Sequence, residues 1–237
     1  MPSKEIQLFI LPYAGGSIAS FKKLTDLLDP RVEVITVEYA GRGTRLKDAL
    51  ATSFDEMFED AVNYCTSRRN QDIPYAVLGY SMGSVISYEM LSREKLGENL
   101  RHFFVSAEIP PRERRYELDS VTDPTDEWLI ERAKELGGLD ERMLGNKRFM
   151  DLYVRPMISD FRHLFEYSYK ENDKIINCDA TFFYCETDTP KDIMRKWEDC
   201  ISGDYEYHEF GDNHFFINSH YGEMAQVINR RLFEKVV

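Results

Sequence analysis

A serine between glycines, Gly79-Tyr80-Ser81-Met82-Gly83, is followed along this chain by an aspartate, Asp188, and then a histidine, His214. A serine hydroxyl is a weak nucleophile until an imidazole takes its proton, and a carboxylate must hold that imidazole in the right tautomer. The glycine-serine pattern alone is weak, since at average usage roughly one random chain of this length in ten carries it. Its setting makes it informative. Apolar Tyr75-Ala76-Val77-Leu78 reads as a strand before it, and a helix is expected from near Ser84. A strand-to-helix elbow of that kind exposes a serine Oγ in a strained conformation and needs small residues where backbones approach.

The other two members also fall at strand ends. Ala180-Thr181-Phe182-Phe183-Tyr184-Cys185 reads as a buried strand, and Glu186-Thr187-Asp188-Thr189-Pro190 turns after it and delivers Asp188 as the expected acid. Tyr205 to Phe210 reads as a strand, Gly211-Asp212-Asn213 as a turn, and His214 follows as the expected base. The order Ser, Asp, His is that of α/β-hydrolase triads. Glu108, ending the strand His102 to Ala107, is a second candidate acid; Asp192 and Asp212 are weaker ones. His102, His163, His208 and His220 read as structural.

Catalysis at a carbonyl also needs donors for the oxyanion. Gln7-Leu8-Phe9-Ile10-Leu11 reads as a strand followed by Pro12-Tyr13-Ala14-Gly15-Gly16-Ser17. The backbone N–H groups of Met82 and Ala14 are therefore the expected oxyanion hole. That glycine-rich turn lacks the Lys-Ser/Thr ending of a P-loop and the spacing of a dinucleotide fingerprint.

The elements that must carry these residues alternate. Strands are expected near 6–11, 32–38, 73–78, 102–107, 180–185 and 205–210, with helices near 17–28, 53–69, 84–96, 190–201 and 215–235. Such alternation specifies an α/β fold, a mostly parallel sheet with helices on both faces. Residues 112–172 break it with helical patterns around Trp128 and Phe149–Val154, as expected of a helical lid inserted into a single domain spanning 1–237. Trp128, Met157, Phe161 and Phe165 either line an acyl pocket or pack the lid onto the body.

Composition sets the remaining bounds. The chain has 237 residues, 43% hydrophobic, enough for one sizeable core. Its net charge of −12 and lack of a basic run argue against nucleic acid. No stretch approaches the ~18 apolar residues of a membrane span and no basic, apolar leader is seen, so a cytoplasmic protein is expected. Cys65, Cys178, Cys185 and Cys200 have neither metal-ligand nor Cys-x-x-Cys spacing and are expected to be free, buried thiols.

Five segments in register resemble one family. Leu11–Ser17, Glu38-Tyr39-Ala40-Gly41-Arg42-Gly43-Thr44-Arg45, Gly79–Ser84, Arg155-Pro156-Met157-Ile158-Ser159-Asp160-Phe161 and Gly211–Phe216 are similar to the successive signatures of type II thioesterases. Those are the stand-alone editing hydrolases of nonribosomal peptide and polyketide synthesis, with the α/β-hydrolase fold. The family usually has His where Tyr13 stands, Pro where Ala40 stands, and a Gly-rich strand end where Tyr184-Cys185-Glu186 stands. The resemblance implies a thioester on the phosphopantetheine arm of an acyl or peptidyl carrier domain as substrate, no cofactor, no metal, and a carrier partner. The triad itself is equally compatible with a medium-chain acyl-carrier thioesterase of fatty-acid synthesis, a carboxylesterase or an acyltransferase. Because carrier domains are acidic too, the docking face must be apolar or locally basic; Arg112, Arg114 and Arg115 form the densest basic cluster, with Lys147 and Arg148 second. A monomer is the simplest assembly, which the sequence leaves open.

Overall fold

The computed structural model describes residues 3–113, 124–170, 174–211 and 213–233. Six strands, β1 (Ile6–Leu11), β2 (Val32–Thr36), β3 (Tyr75–Tyr80), β4 (Leu100–Ser106), β5 (Asp179–Tyr184) and β6 (Tyr205–Glu209), form one sheet in the order β2-β1-β3-β4-β5-β6. Every pairing is parallel, and one row of the ladder runs Ile35, Phe9, Val77, Phe103, Ala180, Tyr205. A parallel strand is covered on both faces, so its sequence is continuously apolar rather than alternating. Both β1 and β3 are buried at every position. The polar exception, Gln7, is satisfied: its amide donates to the Arg68 carbonyl (2.8 Å) and its oxygen accepts from the Asn70 N–H (2.8 Å).

Alternate residues of β1 enter two cores. Phe9 and Leu11 join the cluster packed under helices α1 (Phe54–Thr66) and α2 (Met82–Ser92). Leu8 and Ile10 face the opposite cluster, which contains Ile217, Met224, Ala225 and Ile228 of the last helix, Ile217–Phe233. Helix α2 has no polar face, being buried at all 11 positions, as befits a helix following the central strand. From β1 the chain crosses to β2 on one side and then to β3 on the other. The ends of β1 and β3 are therefore the switch point of the sheet, where loops diverge and leave a crevice.

All six expected strands are present, with ends shifted by no more than two residues. Two expected helices differ in kind. Residues 17–28 form a 3₁₀ turn, Ile18–Phe21, followed by Lys22–Thr25, and residues 190–201 form Lys191–Met194 followed by 3₁₀ Arg195–Cys200. Their buried residues explain it. Phe21 and Leu24, like Met194, Trp197 and Cys200, recur every third residue, and three residues per turn is the 3₁₀ repeat.

Between β4 and β5 the described chain is helical. Helix α3 (Asp126–Glu135) is capped by Thr125, whose hydroxyl accepts from the Trp128 N–H, and helix α4 (Arg155–Glu166) follows a short helix, Lys147–Phe149, and a π-helical turn, Met150–Val154. Pro156 accounts for the wide turn: it donates no N–H and its ring crowds the carbonyl four residues back, so the ladder re-registers just upstream. Ala133, Val154 and Met157 centre a small core belonging to this segment alone, and Phe161 packs against both it and the main core. Among the described residues no helix is long and apolar enough to cross a membrane.

The four cysteines are free and buried, and burial pushes the Cys65 and Cys178 thiols up to about 12 and Cys200 to about 11. Thiolates are the reactive form. Ellman's reagent should therefore label fewer than about one thiol per native chain within minutes, against all four after denaturation.

Candidate active site

The end of β3 turns into α2 without a connecting loop, and Ser81 absorbs the change at φ 51°, ψ −121°. For a residue with a Cβ that left-handed conformation costs on the order of 1–3 kcal/mol, so its surroundings must enforce it. They do so through hydrogen bonds. The Ser81 N–H donates to the Ser106 carbonyl (2.8 Å), the Ser84 N–H to the Ser81 carbonyl (2.7 Å), and the Ser84 hydroxyl to the Ser106 carbonyl (3.2 Å). The flanking glycines are steric necessities. A Cβ on Gly79 would lie 2.5 Å from Ser84 Cα, and one on Gly83 would lie 1.9 Å from the Leu11 carbonyl oxygen. Ser81 and His214 are both largely buried, at 7% and 8% exposure.

Asp188 sits in the turn after β5, where its own N–H and that of Thr189 donate to the Cys185 carbonyl (3.1 and 2.8 Å). Its Oδ2 meets His214 Nδ1 at 2.8 Å and accepts from the Thr189 hydroxyl at 2.9 Å. Burial opposes ionisation of Asp188, but the His214 and Thr189 hydrogen bonds and the field of Arg132 outweigh it and hold the carboxyl below its ordinary range. An ionised carboxylate only accepts, so Nδ1 carries the proton and Nε2 is the basic nitrogen. The histidine backbone is fixed by Tyr80, the residue before the serine. Its fully buried hydroxyl donates to the His214 carbonyl (2.7 Å) and accepts from the Ile217 N–H (3.4 Å).

The turn after β1 is closed by the Gly16 N–H donating to the Tyr13 carbonyl (2.8 Å), with Gly15 at φ 77°. Ala14 lies just before that glycine, and Met82 opens α2, where the first N–H groups lack intrahelical acceptors. Four further groups hold the turn. The Gly15 N–H donates to Asp160 Oδ2 (2.8 Å), the Ile18 N–H to Glu38 Oε1 (3.0 Å), and Arg42 forms a buried two-pronged pair with Asp160. Met157 of α4 seals the outside, its Cβ 2.7 Å from where a Gly15 Cβ would stand. The Tyr13 ring packs edge-on against Phe215 (centroids 4.9 Å) and Tyr80 (5.7 Å).

The thioesterase domain profile matches residues 6–232. The chain belongs to the thioesterase domain family. It is 27% identical to the gramicidin S biosynthesis protein GrsT of Aneurinibacillus migulanus over 96% of this chain and 89% of GrsT. It is 26% identical to the medium-chain S-acyl fatty acid synthase thioesterase of Rattus norvegicus over 91% of this chain and 83% of that one. In three dimensions it superposes on ClbQ from the colibactin pathway with a TM-score of 0.82 at 23% identity, covering 97% of both chains. The α/β-hydrolase expectation and the thioesterase resemblance both hold.

Within this thioesterase Glu108 and the other four histidines have partners of their own. Glu108 accepts from the Ile109 N–H (3.1 Å), and its carbonyl accepts from the Trp197 indole (2.8 Å). His102 meets the Thr181 hydroxyl at 2.8 Å and is pushed down to about 3 by burial, which keeps it neutral. His163 meets the Ala51 carbonyl, His208 meets Glu206, and His220 faces Glu223. Asp212, Arg114 and Arg115 lie outside the described residues, while Arg112 pairs with Asp199 and with the Lys196 carbonyl. Trp128 packs edge-on against Phe165 (5.2 Å). Sequence reading assigned no role to Tyr80, Glu38, Arg42 or Asp160, although an acid on the buried Met157, Asp160, Leu164 stripe of α4 was a signal that a cation waits for it.

The contacts separate the two candidate acids by experiment. Asp188→Asn should lower thioester kcat by about 10³–10⁴, the scale seen when a triad imidazole loses its tautomer. Glu108→Gln should cost less than about tenfold, and a reversal of the two in purified, folded variants would transfer the role to β4.

Proposed function

We propose that this thioesterase removes acyl groups from the phosphopantetheine arms of carrier domains in a nonribosomal peptide or polyketide synthase, as an editing hydrolase working in trans. The observation that carries the chemistry is the conjunction of Ser81 at φ 51° with His214 Nδ1 seated 2.8 Å from Asp188. Support for the substrate class is the match to GrsT, which runs nearly the full length of both chains. The four free thiols accord with a reducing, cytoplasmic setting.

In this reading Ser81 Oγ attacks the thioester carbonyl carbon as His214 Nε2 takes its proton. The carbonyl oxygen gains negative charge opposite the Ala14 and Met82 N–H groups. The tetrahedral adduct then collapses with cleavage of the C–S bond, and the imidazolium returns its proton to the departing sulfur. A thiol with pKa near 8.5 leaves more readily than an alcohol or amine. His214 next deprotonates a water that attacks the acyl-serine ester, and collapse of the second adduct frees the carboxylic acid and restores Ser81. Asp188 stays ionised throughout and stabilises the imidazolium. Every atom balances without a cofactor. The helices between β4 and β5 act as a lid, with Met157 against the Gly15 turn.

The similar match to the rat fatty-acid enzyme makes acyl length the discriminating variable. Ser81→Ala should lower turnover by at least about 10³ with the fold intact. For the wild type, kcat/KM should be higher for a short acyl group on holo-carrier than for the same group on coenzyme A or as a nitrophenyl ester. A sharp optimum at one medium chain length would assign it to fatty-acid release, and a preference for the oxygen ester would assign it to the esterases.

A further inference from the structure

Asp160 and Arg42 are 118 residues apart, and each side chain is only 4% exposed. A buried ion pair of this kind is poor evidence of stabilisation, because its desolvation offsets most of its attraction and an apolar pair packs as well. What distinguishes this pair is where its hydrogen bonds go. One Asp160 oxygen is shared between Arg42 Nη1 and the Gly15 N–H (2.8 Å), and the other accepts from Arg42 Nη2 (2.7 Å). Arg42 Nη1 also reaches the Gly16 carbonyl at 3.4 Å. The turn is thus gripped on the donor side of Gly15 and the acceptor side of Gly16. The Ala14 N–H shares its peptide plane with the Tyr13 carbonyl, which accepts from the Gly16 N–H (2.8 Å), while the next peptide is held at the Gly15 N–H. Gripping Gly15 and Gly16 therefore fixes the peptides on both sides of Ala14 and with them the direction of its N–H.

We propose that Arg42 and Asp160 are positioning residues that aim the Ala14 N–H at the developing oxyanion, so that oxyanion stabilisation depends on the seating of helix α4 against the turn. This rests on the reading of Ala14 as an oxyanion donor. Neither side chain need touch the substrate. Donors aligned in advance cost no reorganisation during reaction, which is why a small rotation of this turn registers in kcat rather than in binding. Arg is required over Lys because only the planar fork spans both Asp160 oxygens and the Gly16 carbonyl.

The test uses Asp160→Asn, which keeps the volume and an acceptor for Gly15 but discharges the pair, and Arg42→Lys, which keeps the charge but loses the fork. Folded fraction is fixed by circular dichroism melting and by titration of Ser81 with a fluorophosphonate. Each variant should lose about 10- to 100-fold in kcat with KM within about threefold, part of the 10²–10³ attached to losing one oxyanion donor outright. Affinity for an acyl trifluoromethyl ketone, which forms a tetrahedral adduct on Ser81, should weaken by the same factor as kcat/KM. Affinity for the matching non-hydrolysable thioether should stay unchanged. Ketone affinity and kcat within about twofold of wild type would overturn the proposal, as would equal weakening of ketone and thioether. If neither variant folds, the pair is a structural staple and the proposal fails. Normal turnover by Ser81→Ala would instead sink the serine mechanism itself, which keeps the two failures distinct.

Discussion

The whole site depends on one close approach, the backbone of Gly83 against the end of β1. A single added carbon there would stand 1.9 Å from the Leu11 carbonyl oxygen, closer than any non-bonded pair can sit. Because Leu11 also pairs with Gly79 across the parallel ladder, the ends of β1 and β3 are level, and α2 must start immediately. That leaves Ser81 no relaxed conformation. The same contact sets the opening of α2 against the turn that follows β1. Strain at the serine and the closeness of that turn, whose Ala14 is the proposed second oxyanion donor, therefore share one geometric origin in glycine at 83.

The histidine is held from the other side of the same strand. Ser81 emerges at the end of β3 while Tyr80, one residue earlier, reaches into the opposite core and anchors the His214 carbonyl. Period-two alternation along a strand thus lets neighbouring residues grip the two halves of the site. The aromatic contacts of Tyr13 with Tyr80 and Phe215 join the turn after β1 to the histidine loop. That junction is closed by a half-buried phenol, Tyr13, whose ionisation is suppressed by desolvation. The helical segment touches both halves as well: Met157 and Asp160 at Gly15, and Gly137 and Gly138 against Asn213 and Phe215.

Sequence made the strands legible because buried parallel strands write themselves as unbroken apolar runs ended by turn residues. It also placed Ser81, Asp188 and His214 after the ends of β3, β5 and β6, and the structure brings the last two together. What it hid was of two kinds. Short helices near 17–28 and 190–201 bury every third residue, a repeat that a 3.6-residue expectation reads as an ordinary helix. The Arg42–Asp160 pair joins segments 118 residues apart, and nothing local in either names its partner. At Arg112 sequence displays a charge without its neighbour, Asp199, which stands beside that arginine in space.

The parallel sheet has a consequence for how this chain comes to life. Each ladder pairing joins strands separated by long crossovers, and the contacts that complete the site are longer still, 134 residues between Tyr80 and His214. Loop closure at such separations is slow and entropically costly, so these contacts form after the strands themselves have docked. His214 and Phe215 both follow β6, so the proposed base and the ring that backs Tyr13 reach the serine and the turn after β1 only through the docking of the last strand.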